Sequence, residues 1–388
     1  MLSFSPAMNL TQIQPSLETV TAPAPPAPAA RFSVSLGALG DNYRTLVRRA
    51  APAAVAPVVK ANAYGIGLEP VVKTLAAQGA DMFFVARLEE GFALRALLPR
   101  VRIFVLDGLR AGAAAAHDSY RLTPVLNTLE EIAEWGAHAR EKRVTLDAAL
   151  HVDTGMNRSG LTHDEAALLA DEARRRLSGI RVALIMSHLA SADEPGSKKN
   201  RVQLERFLAA LDRLPPAPAS LAATAGIDLG REYLFDIVRP GLGLYGGNPQ
   251  PGRANPYARV VSLTARALQL RDVAKGDTVG YGGGFTAHRP TVLAVVPLGY
   301  ADGLHRAMGV HGYAAAGGMR VPFAGRISMD LVMLDVTDVP ASERVPGMEI
   351  EFLGDTISLE DAAFAGGTIN HEILTSLSPR ATRVYLED

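Results

Sequence analysis

Lys60 ends a short apolar run, and that position gives it two readings. Residues 55–59 read as a buried strand, which delivers Lys60, then Tyr64, then Gly65 and Gly67 to turn the backbone into a following helix. Such a lysine is either a surface cation whose stem lies over apolar neighbours or an amine held for chemistry. Other polar residues follow apolar runs in the same way. Arg158 follows the run 144–152 through Asp153-Thr154-Gly155-Met156-Asn157, and His188 follows 182–186. Thr224 follows 220–223, while Arg239 and Gly241 follow 234–238. Alone, each has an ordinary explanation as a satisfied histidine, a rim ion pair or a helix cap.

The elements that must position these residues alternate along the chain. Apolar runs at 55–59, 82–86, 103–106, 122–126, 144–152, 182–186, 220–223 and 234–238 are short and apolar on both faces, as parallel strands covered on both sides require. Helical stretches lie between them. Asn127-Thr128-Leu129-Glu130 and Thr162-His163-Asp164-Glu165 read as capping boxes. Eight such units predict a (β/α)8 barrel spanning 31–258, with a doubly wound open sheet as the alternative that counting leaves open. In the barrel, every polar residue named above falls on one face, and Thr224 and Gly241 follow the seventh and eighth strands, where barrels bind phosphate. An amine beside a phosphate cradle suggests a Schiff base with pyridoxal 5′-phosphate.

From 259 to 388 the pattern changes to alternating short strands at 260–268, 292–296, 320–323, 331–336 and 349–353, with glycine and proline between them. This predicts a C-terminal all-β domain that returns to helix around 360–377. Residues 1–30 form a Pro/Ala-rich extension, expected to be disordered. Apolar residues make up 48% of the 388, charged residues 20%, and the net charge is −1, a soluble core-forming composition with no cue for nucleic acid or a membrane surface. The 0 cysteines exclude disulfides and thiolate sites and fit a reducing, cytoplasmic setting. No metal-ligand spacing, Gly-x-Ser-x-Gly elbow or P-loop occurs, so no metal is expected.

Val58-Val59-Lys60-Ala61-Asn62-Ala63-Tyr64-Gly65 resembles the pyridoxal phosphate signature of the alanine racemase family, a fold-type-III group. His151 to Gly160, Val238-Arg239-Pro240-Gly241-Leu242-Gly243-Leu244-Tyr245, Gly280-Tyr281-Gly282 and Gly325-Arg326-Ile327-Ser328-Met329-Asp330 resemble its further motifs in order. The resemblance implies a barrel plus β domain working as a head-to-tail homodimer with shared active sites. It also implies interconversion of L- and D-alanine by proton exchange at Cα, for peptidoglycan or alanine breakdown. Lys60 would carry the cofactor and serve one face of Cα, and Tyr281 of the other subunit the opposite face, with His188 and Arg239 supplying supporting charge. Arg239 would also donate to the cofactor's ring nitrogen. Tyr64, Thr224 and the amides of Gly241 and Leu242 would hold its phosphate. Arg158 would steer the cofactor's phenolic oxygen or the substrate carboxylate. Met329 and Asp330, from the other subunit, would contact that carboxylate, and Tyr300 would line the entrance.

Four positions depart from the family pattern. Ile66 stands where histidine is usual, and Ala223-Thr224 where Asn-Ser is usual. His151 replaces a lysine, often carbamylated, that orients the counterpart of Arg158, so a neutral or chloride-assisted arrangement is expected. His371 replaces a phosphate-binding tyrosine and, with Ser159, favours a rival reading as a racemase of broader amino-acid range. Two more distant readings are a non-catalytic pyridoxal phosphate carrier and a barrel decarboxylase. Tyr281, Met329 and Asp330 in the β domain weigh against the carrier, and Arg239 against the decarboxylase.

Overall fold

The computed structural model describes residues 29–387; the Pro/Ala-rich lead through residue 28 lies outside them. The first strand, β1 (Ala30–Ser35), precedes the barrel in sequence but is not part of it. It runs antiparallel to β10 (Val261–Arg266) and parallel to the last strand, Thr382–Leu386. The chain therefore enters through the C-terminal sheet. Ser35 then caps the helix Leu36–Ala50, its hydroxyl accepting from Ala38 N–H at 3.0 Å.

The barrel strands follow in the expected order: β2 (Ala54–Val55), β3 (Met82–Val85), β4 (Arg102–Val105), β5 (Thr123–Leu126), β6 (Leu146–His151), β7 (Ile180–Met186), β8 (Ala219–Ser220) and β9 (Ile237–Val238). Strands β3 to β8 form one parallel six-stranded sheet, and β2 pairs with β9. Single bridges join these pieces, Val58 to Phe84 on one side and Ala223 to Arg239 on the other. The ring is thus closed, which the run count alone left undecided. Regular pairing after β2 is interrupted at Pro57, which has no N–H to donate; its carbonyl still accepts from Phe84 N–H at 2.9 Å.

The β domain has a six-stranded sheet in the order Met319–Pro322, Tyr313–Ala316, Glu349–Leu353, β10, β1, Thr382–Leu386. A three-stranded sheet (Gln269–Val273, Thr291–Val296, Val332–Asp335) packs nearby, and the helices Leu359–Gly366 and Asn370–Ser376 complete the region. A shared apolar core runs from the barrel through β1 and Phe32 into Val261, Leu263, Phe352 and Leu374, so the two parts are welded together. Among the described residues no helix is long and apolar enough to cross a membrane.

One of the two capping boxes forms as read, at Thr162 and Glu165. The other does not close as a box: the Glu131 carboxylate takes the Asn127 N–H at 2.7 Å rather than that of the cap. Thr128 is the cap, accepting from Glu131 N–H at 3.2 Å, because the Asn127 side chain is drawn inward to Val125 and His151.

A buried histidine sets a pH dependence. His117 is 1% exposed, its Nδ1 has no hydrogen-bond partner, and burial holds the imidazole down at about 4. The unfolded chain takes up this proton near the ordinary value of about 6.5. His117 therefore contributes stability that is complete above about 6.5 and is lost as the pH falls towards about 4, on the order of 3 kcal/mol in all. Melting temperatures measured across pH 4–8 should fall on the acid side, and His117→Leu should flatten part of that slope. An unchanged slope would rule out His117 as the source.

Candidate active site

The residues that follow Lys60 wind the wrong way for L-amino acids. Ala61, Asn62, Ala63 and Tyr64 have φ of 53°, 55°, 54° and 57°, one left-handed turn made by non-glycine residues. Each such residue costs roughly 1–2 kcal/mol. Gly65 and Gly67, at φ of 82° and 123°, then turn the backbone into the helix Leu68–Ala77 as the sequence suggested, and they also provide room. A Cβ on Gly65 would meet Leu374 O at 2.6 Å, and one on Gly67 would meet Tyr385 Oη at 2.1 Å.

The strain is held from three sides. Glu90 Oε1 accepts from Ala61 N–H at 2.7 Å, and Asn62 Oδ1 accepts from Leu68 N–H at 2.8 Å. From the last strand, Arg383 donates to Gly65 O and Tyr385 donates to Ile66 O, both at 2.9 Å. The result is a half-buried Lys60 whose amine has no protein partner among the described residues. Desolvation first, then the Arg158 charge, holds its pKa below the ordinary lysine value. That raises the fraction present as a nucleophilic free amine.

Arg239 lies across the rim and is 3% exposed. Its guanidinium donates to the Ser220 hydroxyl, to Ser187 O at 2.6 Å and to Leu221 O at 3.4 Å, and meets no carboxylate among the described residues. Burial lowers its pKa to about 9, so it stays charged at neutral pH. His188 Nδ1 is 3.4 Å from Arg239 Nη2 and takes the acceptor role, because a guanidinium can only donate. Burial, then Arg239 and Arg158, hold His188 down at about 3. At neutral pH it is an uncharged relay partner, and the positive field expected of it comes from the arginines alone.

The cradle forms between Tyr64, Thr224 and the turn at Gly241. Thr224 Oγ1 accepts from Gly241 N–H at 3.0 Å and from Gly243 N–H at 3.3 Å, so the Gly241 amide is already engaged, while the Thr224 hydroxyl proton remains free. The Leu242 amide, at the start of the short 3-10 helix Leu242–Tyr245, has no acceptor among the described residues. The buried Tyr64 hydroxyl lies 2.1 Å from where a Gly241 Cβ would be, a space only glycine leaves. Its ring packs on Tyr245 at 4.6 Å and on His371 at 5.8 Å. Desolvation, then the Lys60 charge, keeps the His371 imidazole below its usual pKa. Open neutral donors at a helix start suit a phosphate. With one free amine and a guanidinium lacking an anionic partner, these residues fit pyridoxal phosphate.

The loop bearing Arg158 is shaped by Asp153, whose Oδ1 accepts from Gly155 and Met156 N–H, each at 2.9 Å. Lys60, Tyr64, Arg158, His188, Thr224, Arg239, Gly241, Leu242 and His371 are thus brought together on the barrel's C-terminal rim. Tyr281, Tyr300, Met329 and Asp330 are not. Tyr281 is 73% exposed, Met329 53% and Tyr300 44%. Tyr300 N–H donates to Ser328 O at 3.1 Å, and Asp330 pairs with Arg380 at 2.8 Å. None of the four makes a hydrogen bond or ring contact with the Lys60 rim. Sequence reasoning missed Glu90, Ser187, Ser220, Arg383 and Tyr385, which bind the site through backbone groups or from distant segments.

A closed α/β barrel with a lysine after its first strand, a phosphate cradle after its last two and a welded β domain defines a pyridoxal phosphate class of enzyme. The family models for the alanine racemase N-terminal and C-terminal domains match residues 34–249 and 260–385. This chain belongs to the alanine racemase family. It is 46% identical over 358 residues to an alanine racemase of Methylobacterium nodulans, covering 92% of this chain and 96% of that one. It is 44% identical over 357 residues to a catabolic alanine racemase of Agrobacterium fabrum, covering 92% of each. A biosynthetic alanine racemase of the same organism is also 44% identical, so similarity does not divide the two roles. Among solved structures, alanine racemase from Bartonella henselae with covalently bound pyridoxal phosphate superposes with a TM-score of 0.89 at 36% identity, covering 93% of this chain and all (100%) of that one.

The packing of Tyr385 on Gly67 makes a prediction. Gly67→Ala must displace the tyrosine at a φ of +123°, whereas Gly79→Ala, at a φ of +98°, enters open space. Gly67→Ala should cost about 1–3 kcal/mol more than Gly79→Ala in denaturant unfolding. Equal losses would mean that the clamp does not hold the turn.

Proposed function

We infer that this chain interconverts L-alanine and D-alanine with pyridoxal 5′-phosphate held on Lys60. The observation that carries the reading is the pairing of a desolvated, unpartnered lysine amine with a buried arginine that touches no carboxylate. When bound, pyridoxal phosphate supplies an electron-withdrawing ring that acidifies the Cα–H of the amino acid joined to it. Tyr64, Thr224 and the Leu242 amide hold the phosphate with neutral donors, and His371 stands at the same wall. Arg239 keeps its proton and can only donate to the ring nitrogen. Arg239 would thereby leave that nitrogen unprotonated, which would weaken electron withdrawal and favour simple proton exchange over transamination or decarboxylation.

Lys60 would take or return the Cα proton on one face. The other face needs a second base, and Tyr281 supports that role. It is 73% exposed and makes no hydrogen bond or ring contact with the rim among the described residues, as expected of a residue donated to a second subunit. The exposed Tyr300, Met329 and Asp330 complete the same offered surface, with Met329 and Asp330 towards the substrate carboxylate and Tyr300 at the entrance. The assembly is then a homodimer with shared active sites, and Arg158 steers the phenolic oxygen or the substrate carboxylate. The 0 cysteines suit a cytoplasmic setting, where D-alanine serves peptidoglycan or alanine breakdown.

A broader amino-acid racemase is the second reading, favoured by His371 at 5.8 Å from Tyr64. An imidazole fills less of the wall than a phenol, leaving room for side chains beyond methyl. Turnover of alanine no faster than serine or lysine would select this reading.

Lys60→Ala should abolish racemisation in both directions. Tyr281→Phe should keep the bound cofactor's absorbance and lower kcat by about 100-fold or more. Racemisation at the wild-type rate in Tyr281→Phe would end the two-base scheme.

A further inference from the structure

The turn that carries Met329 and Asp330 has its backbone polar groups sorted. Ser328 O accepts from Tyr300 N–H at 3.1 Å and Met329 O from Ala301 N–H at 3.0 Å, so both carbonyls face inward onto the short 3-10 helix Tyr300–Asp302. Gly299 allows this approach, since a Cβ there would run into Met329 O. The Ser328 hydroxyl closes the turn, donating to Leu331 O at 2.6 Å and accepting from Leu331 N–H at 3.1 Å. The amides of Met329 and Asp330 donate to no described residue. With its carbonyls engaged and its amides free, the tip offers partial positive charge, which suits an anion.

The Asp330 side chain opposes that character. It places a carboxylate on the same tip, and like charges a few ångströms apart repel. Arg380 meets this carboxylate: its Nη1 donates to Asp330 Oδ1 at 2.8 Å, while its Nε lies 3.3 Å from Asp302 Oδ1. Asp302 is 5% exposed and firmly held. Its Oδ2 accepts from Gly299 N–H at 2.8 Å, and its carbonyl accepts from Ser378 N–H at 3.0 Å. The Ser378 hydroxyl in turn takes the Arg380 N–H at 3.2 Å. Arg380 is thus anchored at its backbone and at Nε, with the end of its fork on Asp330. Both side chains of the Arg380–Asp330 pair are about half exposed, and such a pair contributes little to folding stability.

We propose that Arg380, anchored by the buried Asp302, draws the Asp330 carboxylate aside and offsets its charge, so that the turn meets the substrate carboxylate without repelling it. Arg380 is then a positioning residue, acting through Asp330. Asp330 contributes its backbone to the site, and its side chain is held out of the way by the arginine. Two subunits closing over the turn would exclude water and strengthen any uncompensated repulsion, which is where the pair matters. This inference rests on the reading that the turn is offered to the substrate carboxylate in a second subunit.

The test is a double-mutant cycle on the holoenzyme, with thermal melts to confirm folding. Arg380→Met, which keeps an apolar stem and removes the charge, should raise KM for alanine about 10-fold while kcat changes less. The inhibition constant of propionate, which is alanine without its amino group, should rise in parallel. Made in an Asp330→Asn background, the same change should move both constants by less than about threefold, because no charge is left to offset. Should Arg380→Met not fold, Arg380→Gln is compared in the two backgrounds instead, with the same outcomes expected. Wild-type KM in the arginine variant overturns the proposal. So does an equal loss in both backgrounds, which would make Arg380 a structural brace. Tyr281→Phe separates this failure from that of the reading beneath it. If Tyr281→Phe lowers kcat while the arginine variant has no effect, the shared site stands and only the role of Arg380 falls. If neither variant has an effect, the shared site has failed, and the proposal falls with it.

Discussion

The site depends on a left-handed turn that the chain would not adopt alone. Four consecutive L-residues after Lys60 occupy a region that costs each of them energy, and packing from elsewhere offsets the cost. Glu90 grips the turn from the barrel, and Arg383 and Tyr385 grip it from the last strand of the β domain. This explains why the first and last strands of the described chain lie side by side. The β domain thus secures Lys60 on the barrel rim of its own chain.

The second constraint is charge. Lys60, Arg158 and Arg239 converge with His151, His188 and His371; His151 and His188 are uncharged at neutral pH, and burial keeps the His371 imidazole below its usual pKa. Burial first, then repulsion among the cations, lowers the lysine's pKa and those of the His151 and His188 imidazoles, while Arg239 stays charged. Bound anions, a phosphate and a carboxylate, are the natural complement. Uncharged hydroxyls, amides and imidazoles do the orienting, so the arginines remain unquenched.

Much of this was legible in the sequence because it is local. Eight apolar runs mark the barrel strands in order, since a strand buried on both faces must be apolar on both. The residue after each run lands on the rim by the same geometry, which is why Lys60, His188, Thr224 and Arg239 could be picked from spacing. What was not legible is non-local. Nothing in Ala61-Asn62-Ala63-Tyr64 announces left-handed winding, because the cause lies in Tyr385 and Arg383. The pairing of Ala30–Ser35 with the C-terminal sheet is set by partners more than two hundred residues away. Asn127 looked like a helix cap because asparagine favours caps, and the competing partner, His151, arrives only when β5 and β6 align. Chain closure by single bridges at Val58 and Ala223 likewise leaves no pattern in the sequence.

The central claim is that each site is built from Lys60 of one chain and Tyr281 of another. Mixing Lys60→Ala and Tyr281→Phe subunits tests it directly. If sites are shared, each mixed dimer has one site with both lesions and one with neither, so random reassembly of two impaired proteins should recover about a quarter of wild-type activity. If each site were complete within one chain, every site would keep a lesion, and activity would stay at the level of the two parents.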